Sequence, residues 1–344
     1  MPKVSVFLIT YNRVNLVGEA IEAILNQTYG DFELIIMDNG STDGTSEFVN
    51  SKFKDRRIRM HRNEINSRTY VNLTFEIASG DYMLITHDDD MMAPNMLERE
   101  VKILDKYPDV VLVASNITII DLNHRIVWKK GVKIEEDKVF ERGEFIESFL
   151  KKGIYLPMPT ALMRRKFFIE NNLRFNPDVG PASDTYLWFE VNLFPKKLYL
   201  ISDSLYFYTS HGEQDSVSNS FSIELTFFKG VIDFLRKEGY VNLIPLAEKR
   251  FAKSLASSSS KSFFNGKIDW DTYNRAKQLV VSIYNQNEWS LLERFIFQFK
   301  LRFPKLFFTV KQVRAIGHML WNCVFHRRSQ LPSKKLTKIP YRRI

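Results

Sequence analysis

The feature that most restricts this chain is a repeated alternation over its first 120 residues. Short apolar runs stop at polar clusters and are separated by helical patterns. KVSVFLI (3–9), FELIIMD (32–38), IRMHR (58–62), YMLITH (82–87) and VVLVASNITII (110–120) have the length and β-branched content of buried strands. Between them, 16–25, 47–54 and 70–78 follow helical periodicity, and a further helix is expected between Pro94 and Pro108, since proline favours the first helical turn. Buried strands alternating with helices predict an α/β fold with a doubly wound, mainly parallel sheet. Residues 121–215 are more mixed, with strands expected at 160–163 and 205–208 and a helix at 184–193. After about 220 only helical patterns follow, at 222–238, 243–264, 270–284, 289–301 and 306–325. A boundary is expected in the polar stretch 215–220, dividing 1–218, a catalytic domain, from 219–344, a helical region.

Composition narrows the class. The chain has 344 residues, 44% hydrophobic and 26% charged, which suits about two globular domains and excludes wholesale disorder. Cys323 is the sole cysteine, so an internal disulfide and a cysteine-based zinc site are both excluded. The first residues lack a signal-peptide pattern and no apolar run reaches the length of a membrane span, so a cytoplasmic location is expected. The charge is uneven. Residues 300–344 carry 12 Lys or Arg and no acid, so their +12 leaves −3 for residues 1–299 out of the net +9. Such a tail points to an anionic surface as partner.

In an open α/β sheet, ligands gather at the carboxyl ends of the strands. Here those ends carry Thr10-Tyr11-Asn12-Arg13, Asp38-Asn39-Gly40-Ser41 and Asp88-Asp89-Asp90. No GxGxxG follows the first strand and no GxxxxGK[ST] occurs, which argues against dinucleotide and P-loop sites. Three consecutive carboxylates repel unless a cation neutralises them, and hard oxygen ligands suit Mg²⁺ or Mn²⁺. The bland alternative is a solvated turn that caps the following helix.

VSVFLITYNR (4–13), QTYGDFELIIMDNGSTDGT (27–45), IASGDYMLITHDDD (77–90), SDTYLWFEV (183–191) and YFYTSHGEQDSVS (206–218) together resemble the family-2 inverting glycosyltransferases of GT-A fold. The resemblance spans about residues 3–218. It implies a nucleotide-diphospho-sugar donor, with a UDP-sugar expected. It also implies nucleotide-sugar binding by 1–120, acceptor binding by 121–218, and a role in cell-surface polysaccharide or lipid-linked glycan synthesis. Thr10 and Tyr11 would border the nucleotide, Asp38 would accept from the base, and Arg13 and Arg68 would lie near the nucleotide. Asp88 would touch ribose or metal, Asp89 would belong to the same donor site, and Asp90 and His211 would hold Mn²⁺ or Mg²⁺. Asp184 would be the base that takes the acceptor proton. Two departures stand out: Ser183 where the family commonly has Glu, and Ile9 where many members have Pro. Helix capping is the competing use of the Ser183-Asp184 pair.

Leu306, Val310, Val313, Ile316, Leu320 and Val324 share one helical face, Lys311, Arg314 and His318 another, with Trp321 nearby. A basic amphipathic helix of this kind fits an anionic membrane interface, and the expected location becomes peripheral on the inner face of the cell membrane. The alternative is a helix packed on the catalytic domain with a disordered basic tail. No nucleic-acid reader motif accompanies the charge. Two other functions stay open: a metal-dependent nucleotidyltransferase, and a nucleotide-sugar- or glycan-binding protein without turnover.

Overall fold

The computed structural model describes residues 1–211, 220–264, 266 and 268–286. Strands β1 (Val4–Thr10), β2 (Phe32–Asp38), β3 (Ile58–Arg62) and β4 (Tyr82–His87) pair in parallel in the order β3-β2-β1-β4. Each of β1, β2 and β4 is buried along nearly its whole length, which is why they read as continuous apolar runs rather than alternating ones. The sheet continues through β9 (Leu162–Arg164), β6 (Val110–Ile120), β10 (Lys197–Thr209) and the two-residue β5 (Met91–Met92). In this second half β10 runs parallel to β6, whereas β9 and β5 are antiparallel to their neighbours. β7 (Ile126–Trp128) pairs with β6, and β8 (Lys138–Phe140) with β10. The fold is therefore α/β with a mixed sheet whose parallel half carries the expected βα series.

Helix α1 (Val17–Leu25) buries Val17, Ala20, Ile21 and Ile24. Helix α2 (Thr45–Lys52) buries Val49, and helix α4 (Met96–Lys106) buries Met96, Leu97, Val101 and Leu104. These residues share one core with β1, β2 and β4. Gln27 secures the start of α4: its Nε2 donates to Ala93 O at 2.7 Å and its Oε1 accepts from Leu97 N at 3.1 Å. That satisfies a first-turn N–H that no capping side chain reaches.

The helix expected over 70–78 is instead a 3₁₀ turn, Arg68–Leu73, followed by the short α3 (Thr74–Ile77). Three β-branched residues (Thr69, Val71 and Thr74) disfavour a longer α-helix there. The Asn72 side chain also holds the backbone of Phe175, accepting from Phe175 N at 2.9 Å and donating to Phe175 O at 2.8 Å. The strand expected at 205–208 is the last part of the longer β10. The strand expected at 160–163 begins two residues later, after a 3₁₀ turn at Met158–Thr160.

Helices α5 (Glu144–Lys152), α6 (Arg165–Glu170) and α7 (Ser183–Val191) complete the expected catalytic region. Beyond it lie α8 (Ser220–Lys237), α9 (Ile244–Phe264) and α10 (Trp270–Gln286). Contacts divide the chain into compact units 1–251 and 252–344, further along than the expected 218/219 division. In the first unit α8 joins an aromatic cluster, with Phe234 against Tyr186 and Phe189 at 5.4 and 5.8 Å between ring centres. In the second, Phe263, Trp270 and Tyr273 pack together. The serine-rich run at 254–262 is helical, and Ser260 Oγ donates to Ala256 O at 2.8 Å. The helical patterns at 289–301 and 306–325, with Trp321, Cys323 and the basic tail, lie outside the described residues. Among the described residues no helix is long and apolar enough to cross a membrane.

Candidate active site

Parallel pairing puts the ends of β1, β2 and β4 level: Thr10 is opposite Asp38 and Ile9 opposite His87. The loops after β1 and β2 are stitched together by their own polar groups. Asp38 is fully buried; Oδ1 accepts from Ser41 N at 2.8 Å and Oδ2 from Ser46 Oγ. Asn12 takes a left-handed φ of 54°, which asparagine tolerates. Its backbone N donates to Ser41 Oγ at 2.9 Å, and its side chain accepts from Thr42 N at 2.8 Å. Arg13 N and Val14 N donate to Thr45 Oγ1 and Asp43 Oδ2, both at 3.1 Å. Tyr11 stands 41% exposed at the edge. Arg13 lines a recess of about 480 Å³ with Asn12, Asp43, Leu122 and His211. Arg68 opens the 3₁₀ turn after β3, and its side chain lies outside the described part of the structure.

The triplet Asp88-Asp89-Asp90 is held between β4 and β5, and β5 is clamped onto β10 through Met92 opposite Tyr206. This clamp brings the triplet against the end of β10. Asp90 Oδ1 accepts from Thr209 N at 2.7 Å, and Oδ2 accepts from Tyr206 Oη at 3.1 Å. Tyr206 Oη also lies 2.8 Å from Thr86 Oγ1. His87 Nδ1 is 3.4 Å from Asp90 Oδ2, and His211 Nε2 is 2.8 Å from Asp89 Oδ2. Asp88 is buried beside Thr10, whose hydroxyl is close enough to favour the charged carboxylate but forms no well-directed hydrogen bond.

Charge crowding shows in the protonation of this cluster. Burial pushes Asp88 up to about 6; Asp89 adds to the rise, while Thr10 and Arg13 oppose it. Burial also raises Asp90, against the pull of His87. Burial would lower His87, but the hydrogen bond to Asp90 and the charges of all three aspartates outweigh it and lift the imidazole to about 9. A protonated His87 thus neutralises part of the acid cluster.

The donor atoms of His87, Asp89 and Asp90 lie within 4.8 Å of one another. Two carboxylates and an imidazole at that spacing fit a Mn²⁺- or Mg²⁺-type ion, whose charge would take the place of the imidazolium proton. Of the residues expected to hold metal, Asp90 stands in this group. His211 stands one step away, against Asp89. His87 was not among the expected residues: a single histidine closing an apolar strand is a weak signal. Its place three residues before Asp90 is the only hint that the sequence offers. Tyr206 is hidden for a similar reason, inside an aromatic run.

Asp184 sits in the first turn of α7, whose N-cap residue is Ala182. The carboxylate keeps some access to solvent, yet burial raises it to about 6, opposed by N–H groups of the first turn and by the charge of His87. Asp184 and His87 therefore lie within electrostatic reach of each other. Burial raises Tyr155, and the charges of Tyr208 and Asp184 add to the rise.

Residues 5–171 match the family model for glycosyl transferase family 2. An uncharacterized glycosyltransferase of Haemophilus influenzae is 29% identical over 228 residues, covering 62% of this chain and 68% of that one. Relatives from Rickettsia are longer: the chain spans 26% of the length of an uncharacterized glycosyltransferase of Rickettsia bellii, at 28% identity over 55% of this chain. Among solved structures, S. aureus TarS 1–349 in complex with UDP-GlcNAc superposes with a TM-score of 0.55 at 17% identity, covering 84% of this chain and 93% of that one. The mannosyltransferase PcManGT of Pyrobaculum calidifontis, in complex with GDP-Man and Mn²⁺, gives 0.51 at 15% identity, covering 84% and 87%. Sequence match, sheet order and strand-end acids agree: over residues 5–171 the chain is similar to glycosyl transferase family 2, and it has the GT-A fold.

Proposed function

We propose that this chain transfers a sugar, with inversion, from a nucleotide-diphosphate donor to a hydroxyl of a glycan or lipid-linked acceptor in cell-surface polysaccharide synthesis. The observation that carries the reading is the clustering of Asp88, Asp89, Asp90, His87 and His211 on one strand edge, with Asp184 in electrostatic reach. TarS bound to UDP-GlcNAc and PcManGT bound to GDP-Man and Mn²⁺ support a nucleotide sugar and a divalent ion. A UDP-sugar is the proposed donor.

In this reading His87, Asp89 and Asp90 hold Mn²⁺ or Mg²⁺, with His211 beside them. A divalent ion there supplies Lewis-acid stabilisation of the charge that develops on the departing diphosphate. Thr10, Tyr11, Arg13 and Arg68 flank the nucleotide, with Asp88 toward the ribose. Asp38 accepts from the base, and through Ser41 N and Ser46 Oγ it also fixes the loop beside it, each carboxylate oxygen having two acceptor sites. Tyr206 and Thr209 N keep Asp90 oriented. Asp184 takes the proton of the acceptor hydroxyl as the new bond forms at the anomeric carbon. The domain reading follows: 1–120 binds the donor, 121–218 shapes the acceptor side, and the C-terminal region 219–344 brings the enzyme to an anionic membrane as a peripheral protein.

The test is a screen of the full chain against nucleotide sugars with Mn²⁺ or Mg²⁺, read as donor turnover and thermal stabilisation. Ligand at 100 times its Kd stabilises by about 2.7 kcal/mol. Asp184→Asn is expected to keep that stabilisation while transfer falls about 10²–10⁴-fold. Unchanged transfer would remove Asp184 from the mechanism.

A further inference from the structure

The hairpin that joins β6 to β7 exposes an unusual run of large apolar side chains. Leu122, Ile126, Val127 and Trp128 are 54, 47, 59 and 57% exposed, whereas the other exposed large apolar residues among the described ones lie scattered in sequence. Isolated exposed apolar residues are ordinary, but a contiguous group rimmed by charge marks an interaction surface. Here the rim is basic. Residues 122–134 contain Arg125, Lys129, Lys130 and Lys133 and no acid. Asp121 and Glu135, just outside, pair with Arg125 and Lys130 at 2.9 and 3.5 Å. His124 ties the tip to α1 through Glu19, at 3.1 Å, so the hairpin is held in place.

The strand itself argues about its occupant. β7 has an irregular register, with Ile119 opposite Trp128 and Ile120 opposite Ile126, which leaves Val127 without a partner residue. A bulged edge flanked by cations resists addition of another strand, so a second copy of the chain is disfavoured. All three β7 side chains are exposed although successive residues of a strand point to opposite faces. An edge apolar on both faces, bearing a tryptophan and a lysine-rich rim, suits a bilayer interface: apolar groups enter the headgroup region and cations meet anionic lipid.

We propose that this hairpin is a membrane-contact element that lays Ile126, Val127 and Trp128 into the interface of an anionic bilayer. It is separate from any contact made by the C-terminal helices. Leu122 in its turn also lines the recess with Arg13 and His211, so a bilayer held here lies beside the mouth of the candidate site. The surface is defined without reference to donor or acceptor identity.

The test uses the full chain, without nucleotide sugar, and vesicles of phosphatidylcholine with or without 30% phosphatidylglycerol. Co-sedimentation with the anionic vesicles is expected to fall at least tenfold in the variant I126S/V127S/W128S. K129Q/K133Q should lose up to about thirtyfold, since each lysine near such a surface contributes about 1 kcal/mol. Brominated lipid is expected to quench the wild-type protein clearly more than Trp128→Phe. Far-UV circular dichroism checks that the variants fold. Wild-type binding by the serine variant, equal quenching of Trp128→Phe, or no binding by the wild type would overturn the proposal. So would a dimer in sedimentation velocity that the serine variant dissolves. Because no donor is present, these results stand or fall separately from the glycosyl-transfer assay.

Discussion

The loops that follow β1 and β2 and the segment that follows β4 share one sheet edge but treat their acids differently. After β1 and β2, Asp38 and Asp43 accept from Ser41 N, Ser46 Oγ, Val14 N and Thr45. These hydrogen bonds fix the loop shape. After β4, three aspartates and His87 crowd together, and two of the acids are pushed above their usual range. The same residue type thus serves two purposes, and the like charges around it separate them: Asp90 accepts from Thr209 N and Tyr206 Oη much as Asp38 accepts from Ser41 N and Ser46 Oγ, but only Asp90 faces other aspartates. An acid surrounded by N–H and O–H groups builds structure, whereas acids that face one another are arranged for an external cation.

The largest expected effect breaks the second region. Asp90→Asn keeps an oxygen for Thr209 N and so should preserve the fold, yet it removes one of the two carboxylates in the proposed ion site. Transfer is expected to fall at least about 10³-fold, the scale of losing a main electrostatic stabiliser. Excess chelator should do the same to the wild type. Loss of activity with a melting temperature within a few degrees of wild type is the expected pairing. Full activity in chelator would return the triplet to a solvated turn.

Next comes the pH profile. Burial holds Asp184 near pKa 6, and a general base must be ionised to act. The transfer rate should be flat above about pH 7 and fall tenfold per unit well below 6. The stability effect has the opposite sense. A carboxyl raised in the folded state contributes stability that is full below its unfolded value near 3.9 and is lost as pH rises through about 6. Asp184→Asn should therefore flatten the stability curve over that window. A rate profile with its acid limb near pH 4 would detach Asp184 from the proton transfer.

A third change tests the first region. Asp38→Ala strands Ser41 N and Ser46 Oγ in a fully buried position. At about 1–3 kcal/mol for each of the two buried groups left unsatisfied, urea unfolding should show a loss of about 2–6 kcal/mol. Asp38→Asn, which keeps one acceptor, should lose less. If Asp38→Ala left stability intact but cost donor binding, the contrast between structural and functional acids at this edge would be wrong.

How much of this was legible follows the same logic. Strands buried on both faces leave an apolar run that a sequence displays directly, so β1, β2, β4 and β6 lie close to where periodicity places them. β5, β7 and β8 are two or three residues long and exist through long-range pairing, which no local pattern records. Acids clustered in sequence, such as Asp88–Asp90, announce themselves. The group assembled across 119 residues, Asp90 with Thr209 N, does not, because only the β5–β10 clamp brings it together. The exposed apolar β7 breaks the rule that apolar means buried, so no burial pattern in the sequence marks it.

Glu100 sharpens the comparison as a third kind of acid. It lies on the core-facing side of α4, fully buried, and neither carboxylate oxygen has a hydrogen-bond partner within the protein. Ser115 Oγ nearby is likewise without a well-directed bond. Burial drives its pKa well above the carboxylate range, with Ser115 and Arg99 only partly opposing. Because the folded value is raised, Glu100 stabilises most below its unfolded value near 4.3, and that contribution is lost as pH climbs toward the folded one. Glu100→Met, close in volume and unable to ionise, should therefore stabilise the protein by about 1–3 kcal/mol at pH 9 and by less at pH 5. Thermal unfolding at the two values measures it. A loss of stability at both would mean that the buried carboxyl makes a favourable contact there, and Glu100 would join the acids that build structure.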